Sequence, residues 1–325
     1  MKPMTPKERA ITALTLQTPD QVPTFELGFT LAPDMFGINL YPSDLHRDII
    51  DQLSAADKDR RLNEVAQDIA TVFEALDYCI IPGHFGAGYV DGAVISPERK
   101  FLFKKVKELT GGRRLLGYTA DGTFAISNRS GISSFAYRMD NDPTGLHEEA
   151  TQRMDTAIER IKNLAEAGVD VALLCSDYCD NTGPFLPPGK FEEFIQPYLA
   201  KIIEECKKSS MYAIKHSDGN IMPILDQLVD CKPHALHSLD PAAGVDIKEV
   251  KARVGHKVAL CGNVQCTALQ SGTDEEVIAG ARYCLTHGKT GGGYIFTTSN
   301  LPFRGIPPHR YQMILDVWKE LRDYA

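Results

Sequence analysis

Eight short apolar runs punctuate the chain, at 22–28, 78–83, 123–127, 171–176, 211–216, 235–239, 258–262 and 293–298, each ending in small or polar residues. Between the later runs lie amphipathic stretches at 145–167, 190–208, 221–230, 246–254, 274–287 and 308–323. In the first of these, Met154, Ala157, Ile158, Ile161 and Leu164 recur at three- and four-residue steps, the stripe of a helix. Phe194, Ile195, Tyr198, Leu199 and Ile202 repeat it in the second. Strands buried on both faces read as continuous apolar runs, and their alternation with helices gives a parallel sheet. Eight such units predict closure into a single α/β domain over 1–325, a (β/α)8 TIM barrel. A doubly wound open sheet would want a Gly-rich phosphate turn after its first strand, and Glu26-Leu27-Gly28-Phe29 supplies none. Residues 5–16 read as an N-terminal helical extension. Residues 99–119, with Gly111 and Gly112 between apolar arms, read as an inserted β-hairpin.

Charge narrows the partners. Against 35 basic residues stand 43 acidic ones, a net charge of −8. Nucleic acid is not expected, because its phosphates need clustered Lys and Arg. No run of about 18 apolar residues is present, so no membrane span is expected. The charged segment 1–10 lacks a signal-peptide core. The eight cysteines show no disulfide framework, which together with that start predicts a cytoplasmic protein.

In a barrel of this kind the chemistry sits at the C-terminal rim of the strands. The rim candidates, in chain order, are Glu26, His84, Asn128, Arg129, Asp177, His216, Asp218, Asp240, Cys261, Asn263, Ser299 and Asn300. Among them, His216-Ser217-Asp218-Gly219-Asn220 closes an apolar run and precedes a helical stretch. A histidine and a carboxylate two residues apart at a strand end face one side, which suits a metal ion or a proton donor with its partner. His216, Asp218, Asp240 and Cys261 would offer zinc a mixed set of nitrogen, oxygen and sulfur donors. Catalytic zinc commonly takes three protein ligands and keeps one position open. Cys175 and Cys179, four apart, read instead as buried, inert thiols.

Several of these motifs occur together with others: Lys7-Glu8-Arg9, Pro19-Asp20-Gln21-Val22-Pro23, Asn181-Thr182-Gly183-Pro184, Leu260-Cys261-Gly262-Asn263, Gly293-Tyr294-Ile295-Phe296 and Gly305-Ile306-Pro307-Pro308. The combination resembles the uroporphyrinogen decarboxylase superfamily, which includes cobalamin-dependent methyltransferases. The resemblance implies a (β/α)8 barrel. True decarboxylases carry an Arg-Gln-Ala-Gly-Arg segment after the first strand, whose guanidinium groups bind the many carboxylates of the substrate. Here that place reads Phe25-Glu26-Leu27-Gly28-Phe29-Thr30, with no arginine. Tyr137 and Asp218 do match positions of the decarboxylase site. The coenzyme-M methyltransferases carry His-x-Cys and a later Cys, where this chain has His216-x-Asp218 and Ser299-Asn300.

The pattern is similar to the substrate-demethylating branch. That resemblance implies transfer of a methyl group from a small methoxylated, aromatic-type compound to the Co(I) of a corrinoid carried by a partner protein. Zinc on His216 with Asp218, Asp240 or Cys261 would stabilise the leaving oxygen. Glu26, His84, Tyr137, Asp177 and Asn263 are the remaining catalytic candidates, the acids and the imidazole as proton donors. A porphyrinogen decarboxylase and a non-catalytic binding barrel stay open as alternatives, as does pairing into a homodimer.

Overall fold

The computed structural model describes residues 3–125 and 129–324. Its centre is a seven-stranded parallel sheet taken in chain order: β1 (Ile80–Pro82), β2 (Leu115–Thr119), β3 (Val171–Leu174), β4 (Tyr212–Ser217), β5 (Ala235–Ser238), β6 (Ala259–Val264) and β7 (Tyr294–Thr298). The eighth stave comes from the first apolar run. Thr24 makes a parallel bridge to Phe296 of β7, and the Cys79 amide, just before β1, donates to the Thr24 carbonyl at 2.8 Å. The sheet is thereby closed into a (β/α)8 barrel, as the alternation of runs and helical stretches predicts.

Helices wrap the outside because each strand's exit leads into an amphipathic segment. In Pro143–Glu166 the predicted stripe Met154, Ala157, Ile161 and Leu164 is buried. Asp142 caps this helix by accepting from the Gly145 amide. The stretch at 190–208 is two helices, Pro188–Phe194 and Gln196–Lys208, rather than one. Pro197 explains the break, since its ring cannot continue a helix but suits the first turn of a new one. The N-terminal extension is the helix Pro6–Leu14, closed at its start by a capping box between Thr5 and Glu8.

One expectation is corrected. Residues 99–119 do not form a hairpin: they contain most of the helix Pro97–Leu109 and then β2. Leu102, Phe103 and Val106 are the buried stripe of that helix, whose apolar spacing resembles two hairpin arms when read as alternation. Gly111 and Gly112, both left-handed, turn the chain from the helix into the strand. The third stave is therefore at 115–119, not at 123–127. The inserted hairpin lies one element earlier, as Val90–Asp91 paired antiparallel with Val94–Ile95. Part of the run at 123–127, and the rim candidate Asn128, fall outside the described residues. No helix among the described residues is long and apolar enough to cross a membrane, and the eight cysteines are all free.

Candidate metal centre at the barrel rim

Alternation along β4 sorts its last residues. Lys215 turns outward beneath the helices, where its ammonium bonds Asp121 at 2.8 Å and the carbonyls of Leu174 and Ser176. It thereby fastens the exit of β3, immediately before Asp177. His216 turns inward and is 5% exposed. Asp218 follows the strand end, and its amide donates to Asp177 Oδ1 at 3.0 Å. The next residue must be glycine: Gly219 has φ +81°, and a Cβ there would meet the Asp180 carbonyl at 2.5 Å. That close approach folds the β4 exit against the β3 exit and sets Asp177 beside Asp218.

His216 Nε2 lies 3.5 Å from Asp177 Oδ1 and 3.5 Å from Asp218 Oδ1. The three residues are the one group of histidine, cysteine and carboxylate ligand atoms among the described residues close enough to share a metal ion. Two donors fix the Asp218 carboxylate: Ser238 Oγ on Oδ1 at 2.9 Å and Asn300 Nδ2 on Oδ2 at 2.6 Å. Burial, followed by the nearby Asp177 charge, pushes the Asp218 carboxyl up to about 6. Burial lowers the His216 imidazole to about 4, outweighing the Asp177 charge that would raise it. Behind His216, its Nδ1 faces Nδ1 of His237 at 2.9 Å, and His237 Nε2 lies 3.1 Å from Thr297 Oγ1. Beside Asp218 opens a cavity of about 610 Å³, lined in part by Asp180, Asp240, Ser299, Asn300, Leu301 and Phe303.

The other sequence candidates are dispersed. Asp240 shares the cavity wall with Asp218 but is not in the metal-competent trio. Its carboxylate accepts from the Ala242 amide at 2.9 Å, capping its own turn. Cys261 does not join them either, which corrects its assignment as a rim thiolate. β6 runs on to Val264, so Cys261 sits mid-strand, fully buried, with its thiol pushed well up by burial. Asn263 spends its side chain on the Leu239 and Val245 carbonyls and on the Cys284 thiol. Tyr137 is 68% exposed on the helix Arg129–Asn141 and belongs neither to the trio nor to the lining of its cavity.

Glu26 is 1% exposed and accepts from the amide and hydroxyl of Thr298 and from Tyr311, whose hydroxyl lies 2.5 Å from that of Tyr78. Burial pushes its carboxyl up to about 8. His84 follows the end of β1, half-buried, with Nδ1 unpartnered and its imidazole lowered to about 4 by burial. Cys175 and Cys179 are free thiols pushed up to about 12 by burial, as inert packing residues would be.

Sequence reasoning missed His237, Ser238 and Thr297. A signal for His237 did exist. It is a histidine inside a buried strand, three residues before the rim candidate Asp240, and an interior imidazole needs partners.

The comparisons with known proteins match this architecture. Residues 123–321 match the model of the family described as uroporphyrinogen decarboxylase (URO-D), and the chain belongs to that family. Among curated relatives, the uroporphyrinogen decarboxylase of Vibrio cholerae is 26% identical over 234 residues, covering 66% of this chain and 61% of that protein. The enzyme of the same name from Photobacterium profundum is 25% identical over 231 residues, with the same coverage. This chain thus aligns with less than two thirds of the length of these relatives. Among solved structures, a methyltransferase from Methanosarcina mazei superposes with a TM-score of 0.67 at 18% identity, covering 98% of this chain and 99% of that one. The fold is therefore shared end to end with a methyltransferase.

Proposed function

We propose that the protein is a methyltransferase that takes a methyl group from a small methylated donor, in the first instance a methoxylated one, and passes it to the Co(I) of a corrinoid on a partner protein. The observation that carries this reading is the convergence of Asp177, His216 and Asp218 on one point, with Asp218 also lining the rim cavity. Their atoms fit a metal. Ligands about 2.1 Å from a tetrahedral zinc stand about 3.4 Å apart, close to the two 3.5 Å gaps from His216 Nε2. One nitrogen and two oxygens form a donor set suited to Lewis-acid chemistry on an oxygen, without the thiolates that thiol activation favours. Bound there, zinc would supply positive charge to the oxygen from which the methyl group departs, the charge an alkoxide or phenolate leaving group requires. This chain's own contribution is to hold Asp218 between Ser238 and Asn300, bury His216, and offer the donor a walled cavity.

The curated relatives favour a second reading, decarboxylation of a porphyrinogen. Against it stands the wall of the cavity. Asp180, Asp218 and Asp240 line it, and no Lys or Arg does so among the described residues. A polycarboxylate would meet like charge there. The deciding experiment measures three things on purified protein: bound metal, methyl transfer to a Co(I) corrinoid protein from methoxylated donors, and carbon dioxide release from uroporphyrinogen. Bound zinc with methyl transfer supports the proposal. Porphyrinogen turnover without methyl transfer refutes it.

A further inference from the structure

We infer that His237 and Thr297 are positioning residues that lock His216 in the tautomer whose bare Nε2 faces Asp177 and Asp218. The consequence for zinc rests on the metal reading of the trio; the tautomer itself follows from hydrogen-bond geometry and burial. Thr297 Oγ1 lies 2.7 Å from the Thr298 carbonyl, which can only accept, so the single hydroxyl hydrogen sits there. The same oxygen is 3.1 Å from His237 Nε2. With its hydrogen already spent, it accepts, and His237 Nε2 carries a proton. His237 is 1% exposed and bonds no carboxylate among the described residues, so a second proton on its ring would be a buried charge without a counter-ion. Its Nδ1 is therefore bare.

That bare nitrogen faces His216 Nδ1 at 2.9 Å, so His216 Nδ1 must donate. Two acceptors, or two donors, could not approach so closely. His216 Nε2 stands 3.5 Å from each carboxylate, too far for a good N–H···O bond to either, the spacing of a nitrogen that carries no proton. Three elements build the relay: register pairs His216 of β4 with His237 of β5, and Thr297 comes from β7. The ring of Phe25, from the first stave, stands edge-on to His237 at 6.0 Å and helps hold its plane. Three electron-rich atoms are thus turned on one point, an arrangement that a cation relieves. Metal-bound histidines are commonly oriented in this way, by a partner on the other ring nitrogen.

Two measurements test the relay. In the metal-free wild type with 15N-labelled histidine, long-range proton–nitrogen spectra should show His216 protonated on Nδ1 only and His237 on Nε2 only. A proton on His216 Nε2 would overturn the inference. In the second measurement, zinc affinity is read by competition with a chromophoric chelator. His237→Leu should bind zinc about 10- to 100-fold more weakly. His237→Gln should retain most of the affinity, because its amide can accept from His216 Nδ1 and donate to Thr297. Thr297→Val should fall between them, and it keeps the test open should His237→Leu not fold. Wild-type affinity in both His237→Leu and Thr297→Val would also overturn the relay. A wild type that shows the expected tautomers but binds no zinc would refute the metal reading and uphold the lock.

Discussion

Glu26→Gln isolates one buried acid and predicts a change in how stability depends on pH. The Glu26 carboxyl stands at about 8 in the folded protein, against an ordinary 4.5, because burial disfavours its charged form more than Thr298 and Tyr311 favour it. Between those two values the unfolded chain has lost the proton and the native protein keeps it. The native state then binds more protons, so stability falls as pH rises through the window and levels off above about 8. Each pH unit is worth about 1.4 kcal/mol, so the roughly 3.5-unit window sets a ceiling of ~5 kcal/mol. Glutamine preserves the shape: its oxygen can accept from the Thr298 amide and Tyr311, and its nitrogen can donate to the Thr298 hydroxyl, whose own hydrogen can go to the Asn300 carbonyl, but it has no proton to lose. Near pH 4.5 the two proteins should be similarly stable. By pH 8 Glu26→Gln should be more stable by several kcal/mol, up to that ceiling. Urea unfolding of both proteins at half-unit steps from pH 4.5 to 9 provides the measurement. Only the difference between the two curves matters, because His84, His216 and His237, all lowered by burial, contribute the opposite slope equally to both. Parallel curves across the window would refute the reasoning and place an ionised carboxylate inside the wall.

The other predictions concern the rim and its supports. His216→Ala should lose bound zinc and methyl transfer together while the barrel still folds, as seen by metal analysis, transfer rate and far-UV circular dichroism; activity lost with metal retained would make His216 an acid or hydrogen-bonding group instead. Lys215→Met should strand the buried Asp121 carboxylate, whose value the Lys215 charge helps hold down at about 2, and cost about 3–5 kcal/mol by urea unfolding. Adding Asp121→Asn should recover part of that loss. Gly219→Ala combines a left-handed backbone with a 2.5 Å approach to the Asp180 carbonyl. It should cost at least about 1–2 kcal/mol in thermal unfolding and weaken zinc binding, because the β4 exit must shift; unchanged stability would show that this turn is not tight.

Much of the barrel is legible in the order of residues, because strand and helix periods are local properties. The runs ending near Gly83, Ser176, His216, Leu239, Gly262 and Thr298 become staves, and the stripe from Met154 to Leu164 faces inward as its spacing requires. The strand-end position of His216 and Asp218 is legible for the same reason. What local pattern could not supply was registration between distant segments. Leu102, Phe103 and Val106 fit a hairpin arm or a helix equally well, and only packing against the neighbouring helix Ala55–Ala75 and the barrel wall resolves them. Cys261 looked like a rim residue because the end of its strand was placed at a glycine; pairing with β7 carries the strand to Val264 and leaves the thiol inside. Asp177 joined His216 and Asp218, whereas Asp240 did not. That choice depends on how the exits of β3, β4 and β5 fold over one another. The partnership of His216 with His237 likewise exists only because β4 and β5 lie side by side in a register that no separation along the chain encodes. Residue types and local periods therefore determined which groups reach the rim, and the closure and stagger of the barrel decided which of them meet.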